Sequence, residues 1–306
     1  MPVQFIQIPL EDNKRIALYA IISCLLWSTV FAGIKVGLKY TSPLAFAGTR
    51  FFISGLLILP FAGHFNSYLK AVKRHIKILF TLSLSQVLIN YTMFYIGMSL
   101  VPAAVGAVVI GSQPFIIAIL ASFMMNNEPF TLRRLITLIA GISGVFLVSF
   151  GRQKLGIGES VELVGVLLLF GANITSGISN VIVAKQVRKI NPAILSSFSL
   201  MSGGGALFLL SIPIEGLTPL DQPAEYWISL SWLSLLSAVT FTLWYRALHI
   251  PGVKVSDLNL WKFVVPVLGA ILSWIIIPEE SPEWLTVSGM IIIALSLAIF
   301  FYRKPD

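Results

Sequence analysis

Ten stretches of about 20 mostly apolar residues, joined by short connections, run through this 306-residue chain. They fall at approximately 16–38, 43–63, 75–99, 102–125, 131–150, 161–184, 192–213, 225–248, 254–277 and 283–302. Each is long enough to cross a bilayer core as a helix, and a helix satisfies its own backbone in lipid. The connections carry breakers where they are needed: Ser42-Pro43, Val101-Pro102, Asn191-Pro192, Pro251-Gly252 and Pro278 to Pro282. Composition agrees, with 57% hydrophobic and 11% charged residues. A soluble domain carries about a quarter charged residues, and a chain this apolar would expose large sticky patches in water. The expectation is an all-α membrane protein of ten transmembrane helices with almost no soluble domain. Polar residues Glu11 to Arg15 precede a first run long enough to span, which argues against a cleavable signal peptide. The single cysteine, Cys24, leaves no disulfide framework and no thiol pair for a metal.

Orientation follows from the positive charges in the loops. With the N-terminus inside, the cytoplasmic side holds fifteen: Lys14, Arg15, Lys70, Lys73, Arg74, Lys77, Arg133, Arg134, Lys185, Arg188, Lys189, Arg246, Lys254, Arg303 and Lys304. The opposite side holds four, Lys35, Lys39, Arg152 and Lys154, while Arg50 and Lys262 lie inside spans. Glu215, Asp221, Glu225, Glu279, Glu280 and Glu283 fall in outer loops. The net charge of +8 is therefore a topology signal, and nucleic acid drops out as a partner. The expected location is the cytoplasmic (inner) membrane, multi-pass, with both termini cytoplasmic.

The chain is internally duplicated at a separation of about 150 residues. Pro43 and Pro192 each open a span, Tyr95 corresponds to Tyr245, and Pro114 … Glu128 matches Pro266 … Glu280 with the same separation of 14. Each half, residues 1–154 and 155–306, carries five spans, and an odd number turns the second copy upside down. Two inverted five-helix repeats around a central midplane cavity are the signature of secondary transporters.

Several stretches resemble the EamA-type branch of the drug/metabolite transporter superfamily. Trp27-Ser28-Thr29-Val30-Phe31 with trailing Lys35 is similar to the family's first span, and Pro43 to Phe52, with Arg50, to its second. Gln113 to Glu128 resembles the fourth span, and the Gly141/Gly144 stretch the fifth. The second half departs: the sixth span lacks a counterpart of Trp27, and Lys262 stands four residues before Pro266 where an apolar or small residue is expected. The resemblance implies ten helices in two inverted halves, and export or facilitated passage of small polar metabolites such as amino acids. It implies no cofactor and names no substrate.

Lys262 is the costliest residue in the chain, since a lysine at mid-span costs about 2.5–3.5 kcal/mol on insertion scales. It sits about 12 Å into its span at 1.5 Å per residue. Pro266 cannot donate to its carbonyl, and Asn259 lies one turn away. Lys262 is read as a substrate or gate contact; the alternatives are snorkelling to the surface or pairing with Asp257. Arg50 is either an anion contact or a structural pin between helices. Asn173, Ser176, Gly177 and Asn180 form one polar stripe and Ser83, Gln86 and Asn90 another, both turned from lipid into a cavity or a helix contact. Trp27, Tyr91, Tyr95, Trp244, Tyr245 and Trp261 are candidate aromatic walls, whereas Trp227 and Trp284 read as interface anchors. The candidate substrate contacts are Lys262, Asn259, Trp261, Asn90, Tyr91, Tyr95, Gln113, Asn173, Asn180, Trp244, Trp27 and Arg50, facing a small molecule with a carboxylate or other acceptor-rich group. Glu128 and Glu280 read as caps or gate pins. Gly33/Gly37 and the Gly203 to Gly205 triplet, which interrupts the seventh span, read as packing contacts.

An intramembrane enzyme would need a nucleophile–base pair or metal ligands at membrane depth. The chain has no HExxH, no GxSxG and no mid-span histidine, with His64, His75 and His249 at loops or span ends. A sensor has no use for an inverted duplication. Expected partners are the bilayer and a small-molecule substrate, for a protein acting as a monomer or homodimer.

Overall fold

The computed structural model describes residues 10–124, 139, 158–186, 189–219, 221–279, 281, 282 and 284–301. Among them every regular element is helical. Seven helical stretches are long and apolar enough to cross a membrane: Glu11–Leu38, Pro43–Ala62, Phe65–Leu100, Ala103–Met124, Ser160–Gln186, Pro192–Glu215 and Ala224–His249. A shorter apolar helix, Val264–Ile276, and a final helix, Trp284–Phe301, occupy the places expected for the last two spans. The expected 131–150 span, apart from Ile139, lies outside the described residues, as do Glu128 and Glu280.

Numbered along the chain, the α-helices are α1 Leu10–Ser28, α2 Val30–Leu38, α3 Pro43–Ile58, α4 Phe65–Leu82, α5 Asn90–Leu100, α6 Ala103–Ile110 and α7 Gln113–Met124. They continue with α8 Gly158–Gln186, α9 Pro192–Glu215, α10 Ala224–His249, α11 Val255–Asn259, α12 Val264–Ile276 and α13 Trp284–Phe301. Proline at the first helical position starts α3 and α9, where no backbone donor is lost. Asn191 caps α9 by accepting from Ala193 N–H at 2.8 Å. The start of α3 is capped from a distance. Glu215, at the end of α9, accepts from Leu44 N–H at 3.0 and 3.1 Å and from Ala45 N–H at 3.0 Å, placing a carboxylate on the positive end of a helix.

α3 and α9 lie backbone against backbone. A Cβ at Gly55 would stand 2.6 Å from the Met201 nitrogen, and one at Gly204 would stand 2.5 Å from the Phe52 nitrogen. Gly55 and Gly204 share the offset that separates Pro43 from Pro192, and so do Phe52 and Met201, so the contact recurs with its roles exchanged. The glycine triplet does not interrupt its helix as expected: α9 runs unbroken through it. The neighbouring helix supplies the close packing that offsets the poor helix propensity of glycine.

Besides a 3₁₀ turn at Leu59–Ala62 and a kink at His75, four stretches lose α-helical regularity. Thr29 separates α1 from α2, Ser83–Ile89 is a π-helix, a turn at Gly111-Ser112 separates α6 from α7, and Leu260–Phe263 tightens into a 3₁₀ turn ahead of Pro266. Two have identifiable causes. Pro114 and Pro266 each remove an amide donor one turn after the break. The two breaks meet, for a Cβ on Gly111 would stand 2.7 Å from the Pro266 ring.

Candidate functional site

The four irregular stretches converge on one cavity. Trp27, Val30 and Phe31 come from the first break, Gln86 from the π-helix, Gly111 and Gln113 from the second break and Lys262 from the 3₁₀ turn. Non-helical backbone at membrane depth is tolerated where it lines a cavity or is buried in protein. Asn90, Tyr91 and Phe94 of α5, Ala172, Ser176 and Asn180 of α8, and Phe241, Trp244 and Tyr245 of α10 complete most of the wall, with Arg50 of α3. The cavity volume is about 120 Å³. One water needs roughly 10–15 Å³ of such space, so a small metabolite has room.

Lys262 stands at the centre of a built constellation. Its Nζ donates to Gln113 Oε1 at 2.8 Å and lies 5.1 Å from the ring centroid of Trp27 and 4.7 Å from that of Trp244. The two indoles are stacked obliquely with centroids 4.9 Å apart. The faces of two indoles attract a cation electrostatically, by about 2 kcal/mol or more each where water is excluded. Gln113 is itself held: its Nε2 donates to Ser176 Oγ at 3.0 Å and to Asn173 Oδ1 at 3.5 Å. Asn173 Nδ2 donates in turn to the Val109 carbonyl at 2.9 Å and to Ser112 Oγ at 3.1 Å. This chain of amides anchors the ammonium to the broken fourth span. Among the described side chains no carboxylate pairs with Lys262; the side chain of Asp257 lies outside them.

Arg50 is 3% exposed. Its Nη1 donates to Tyr95 Oη at 2.6 Å, its Nη2 to Ser237 Oγ at 2.8 Å, and its Nε to Ser237 Oγ and the Leu233 carbonyl at 3.1 and 3.2 Å. The guanidinium thus ties α3 to α5 and α10 while also reaching the cavity wall. Of its five N–H donors these bonds engage one on each nitrogen.

Comparison with known proteins settles what kind of chain this is. The EamA-like transporter family matches residues 14–150 and again residues 163–302. The chain belongs to the EamA-like transporter family. It is similar to the Bacillus subtilis protein named Uncharacterized transporter YoaV, at 26% identity over 257 residues, covering 84% of this chain and 86% of the relative. Uncharacterized transporter YvbV of the same organism is 25% identical over 291 residues, 94% of this chain and 92% of that one. The Arabidopsis thaliana WAT1-related protein At3g02690, chloroplastic, is 25% identical over 293 residues, 92% of this chain and 67% of the relative. A solved crystal structure superposes with a TM-score of 0.65 at 17% identity, covering 94% of this chain and 96% of that one, which shows a shared fold. As an EamA-like protein with these apolar helices, the chain is a multi-pass membrane transporter.

Eight of the twelve candidate contacts line the cavity of this EamA-like transporter: Lys262, Asn90, Tyr91, Gln113, Asn180, Trp244, Trp27 and Arg50. Four do not. Tyr95 and Asn173, both fully buried, stand behind the wall and hold Arg50 and Gln113. Asn259 is buried one turn from Lys262, where its Nδ2 bonds back to the Val255 carbonyl at 2.7 Å. Its Oδ1 is buried without a partner among the described residues. Trp261, adjacent to Lys262 in the 3₁₀ turn, faces outward and is 38% exposed. Gln86, Ser176 and Tyr245 line the cavity from outside the candidate set. Their polar stripes and the Tyr95–Tyr245 correspondence were the available signals. The apolar liners Phe31, Phe94, Phe241 and Val265 gave none, since such residues read alike against lipid and against a cavity.

Proposed function

We propose that this protein is a secondary transporter of small, carboxylate-bearing metabolites across the cytoplasmic membrane, amino acids and related acids being the class from which substrates are drawn. The carrying observation is Lys262, a cation fixed between Trp27, Trp244 and Gln113 in the cavity wall with no described carboxylate beside it. An uncompensated buried cation costs several kcal/mol, and an anion arriving from solution removes that cost at the moment of binding. The architecture we infer is ten spans in two inverted repeats, residues 1–154 and 155–306, with both termini cytoplasmic. The exchanged Gly55–Met201 and Gly204–Phe52 contacts and the facing breaks before Pro114 and Pro266 support it. Substrate contacts are assigned to Lys262, Gln113, Asn90, Tyr91, Asn180, Trp27 and Trp244, with Arg50 as a helix pin that also presents charge.

Reconstitution in liposomes tests this reading. Uptake of labelled carboxylic and amino acids should fall at least tenfold in Lys262→Met, with thermal unfolding in detergent little changed. Loss of the Gln113 and indole contacts is offset by release of a buried charge. Lys262→Arg should be intermediate, because a planar guanidinium does not fit a site shaped for a point charge. Undiminished uptake by Lys262→Met would remove Lys262 from the substrate path.

A further inference from the structure

We infer that the cavity selects an organic anion lacking an ammonium group, such as a 2-oxo acid, over the amino acid of the same skeleton. This narrows the reading above and rests on its claim that a carboxylate meets Lys262.

Three observations carry it. The first is charge. Among the described residues the cavity wall includes Arg50 and Lys262 and no aspartate or glutamate. The ion pairs Arg15–Asp12 and Lys39–Glu279 lie elsewhere and are partly exposed. A zwitterion leaves the site's charge where it was, whereas a net anion lowers it.

The second is the direction in which the amides are turned. Gln113 Oε1 accepts from Lys262, and Asn180 Oδ1 accepts from Trp244 Nε1 at 3.4 Å. An ammonium and an indole N–H only donate, so these bonds fix both amide oxygens toward the protein and leave each a single further lone pair. Gln86 Oε1 accepts from Tyr245 and Asn90 Oδ1 from Thr175 Oγ1 at 3.3 Å. The side-chain oxygens are engaged, while Gln86 Nε2, Asn90 Nδ2, the Tyr91 hydroxyl and Trp27 Nε1 have no protein partner among the described residues. The wall thus offers donors to an acceptor-rich ligand.

The third is the aromatic pair. The indole faces of Trp27 and Trp244, which would serve a ligand ammonium, already hold Lys262 Nζ. What remains for an ammonium is neutral: the Tyr91 hydroxyl, the spare lone pairs of the amide oxygens and the Ile110 carbonyl, which Pro114 leaves without its helical donor. Neutral acceptors do not offset the charge of an ammonium placed beside two cations. The carbonyl oxygen of a 2-oxo acid, by contrast, accepts from the free amide nitrogens.

The test is paired uptake by the full chain in liposomes: labelled 2-oxoglutarate against glutamate, pyruvate against alanine, and 2-oxoisocaproate against leucine. The oxo acid should exceed its amino twin at least tenfold in one pair or more, with no pair reversed. Gln113→Glu places a carboxylate against Lys262 Nζ and lowers the cavity charge by one; it should cut that ratio at least fivefold, with a melting curve confirming the fold. A ratio below tenfold in every pair, any reversed pair, or a ratio unmoved in folded Gln113→Glu overturns this inference. The carboxylate reading survives those results if Lys262→Met still abolishes uptake of whichever acids are carried. Uptake of none of the six acids overturns both.

Discussion

Two cations inside the spans divide the work differently. Lys262 spends one bond on Gln113 and rests on ring faces, contacts a ligand can exchange, whereas Arg50 is stapled to Tyr95, Ser237 and the Leu233 carbonyl. Arg50→Lys should therefore damage the fold before it damages recognition. A lysine amine lacks the fork that reaches two helices at once, and a lost charge-assisted bond is worth about 1.5–3 kcal/mol. Thermal unfolding in detergent should show a loss of that order, against little change for Lys262→Met; equal melting of Arg50→Lys and the wild type would deny the pin. The sequence exposed Lys262 by its insertion cost alone. Its partners were hidden, because Gln113 and Trp27 are 149 and 235 positions away and carry no charge to announce a pair. Asn259 shows a related gap: helical spacing gives the face of a residue and not where its amide turns, and here Nδ2 bonds back to the Val255 carbonyl while Oδ1 is buried without a described partner.

At the scale of elements, the α3–α9 pair is the tightest constraint on substitution. Gly204 faces Phe52 backbone, whereas a Cβ on its neighbour Gly205 would meet only the Phe52 ring at an ordinary 3.6 Å. Gly204→Val should abolish folded protein in detergent, while Gly205→Ala should melt at or slightly above the wild-type temperature, alanine being the better helix former by about 1 kcal/mol. Fluorescence-detected size exclusion and a melting curve decide it, and a well-folded Gly204→Val would mean that the two helices are farther apart than described. Long apolar stretches were legible because lipid demands continuous apolar length, but the helical run expected at 75–99 extends from Phe65 to Leu100. The breaks were legible only at Pro114 and Pro266. The π-helix at Ser83–Ile89 has no proline or glycine within it to signal it, though Gln86 within it reaches the cavity.

For the whole molecule, the positive-charge bias makes a topological prediction. Single cysteines placed at 64–74, which the structure shows as the first turns of α4 where a loop was expected, should be labelled from the cytoplasm on a Cys24→Ser background, and those in the 216–223 connection from outside. Cys24 is 2% exposed, so its removal matters for clean labelling more than for reactivity. Both segments on one face would break the inverted architecture, while the helical fold would stand. Pro43/Pro192 and Tyr95/Tyr245 pair the two halves in sequence, yet the halves are not equivalent in use. Lys262 corresponds to Ile110 by the offset of the proline pair, so one half supplies the charge and the other the amide that holds it.

The unbalanced charge of the cavity has an electrical consequence. Under the anion reading, a ligand that crosses without a co-moving cation carries current. Each elementary charge taken through the full membrane potential exchanges about 2.3 kcal/mol per 100 mV. A cell interior held negative pushes such a ligand outward, and 60 mV already weights the two sides about tenfold for a monovalent species. With no described buried carboxylate relay in the wall to bring protons along, voltage alone would make this carrier an outlet for organic acids, and uptake would need a concentration gradient steep enough to oppose it.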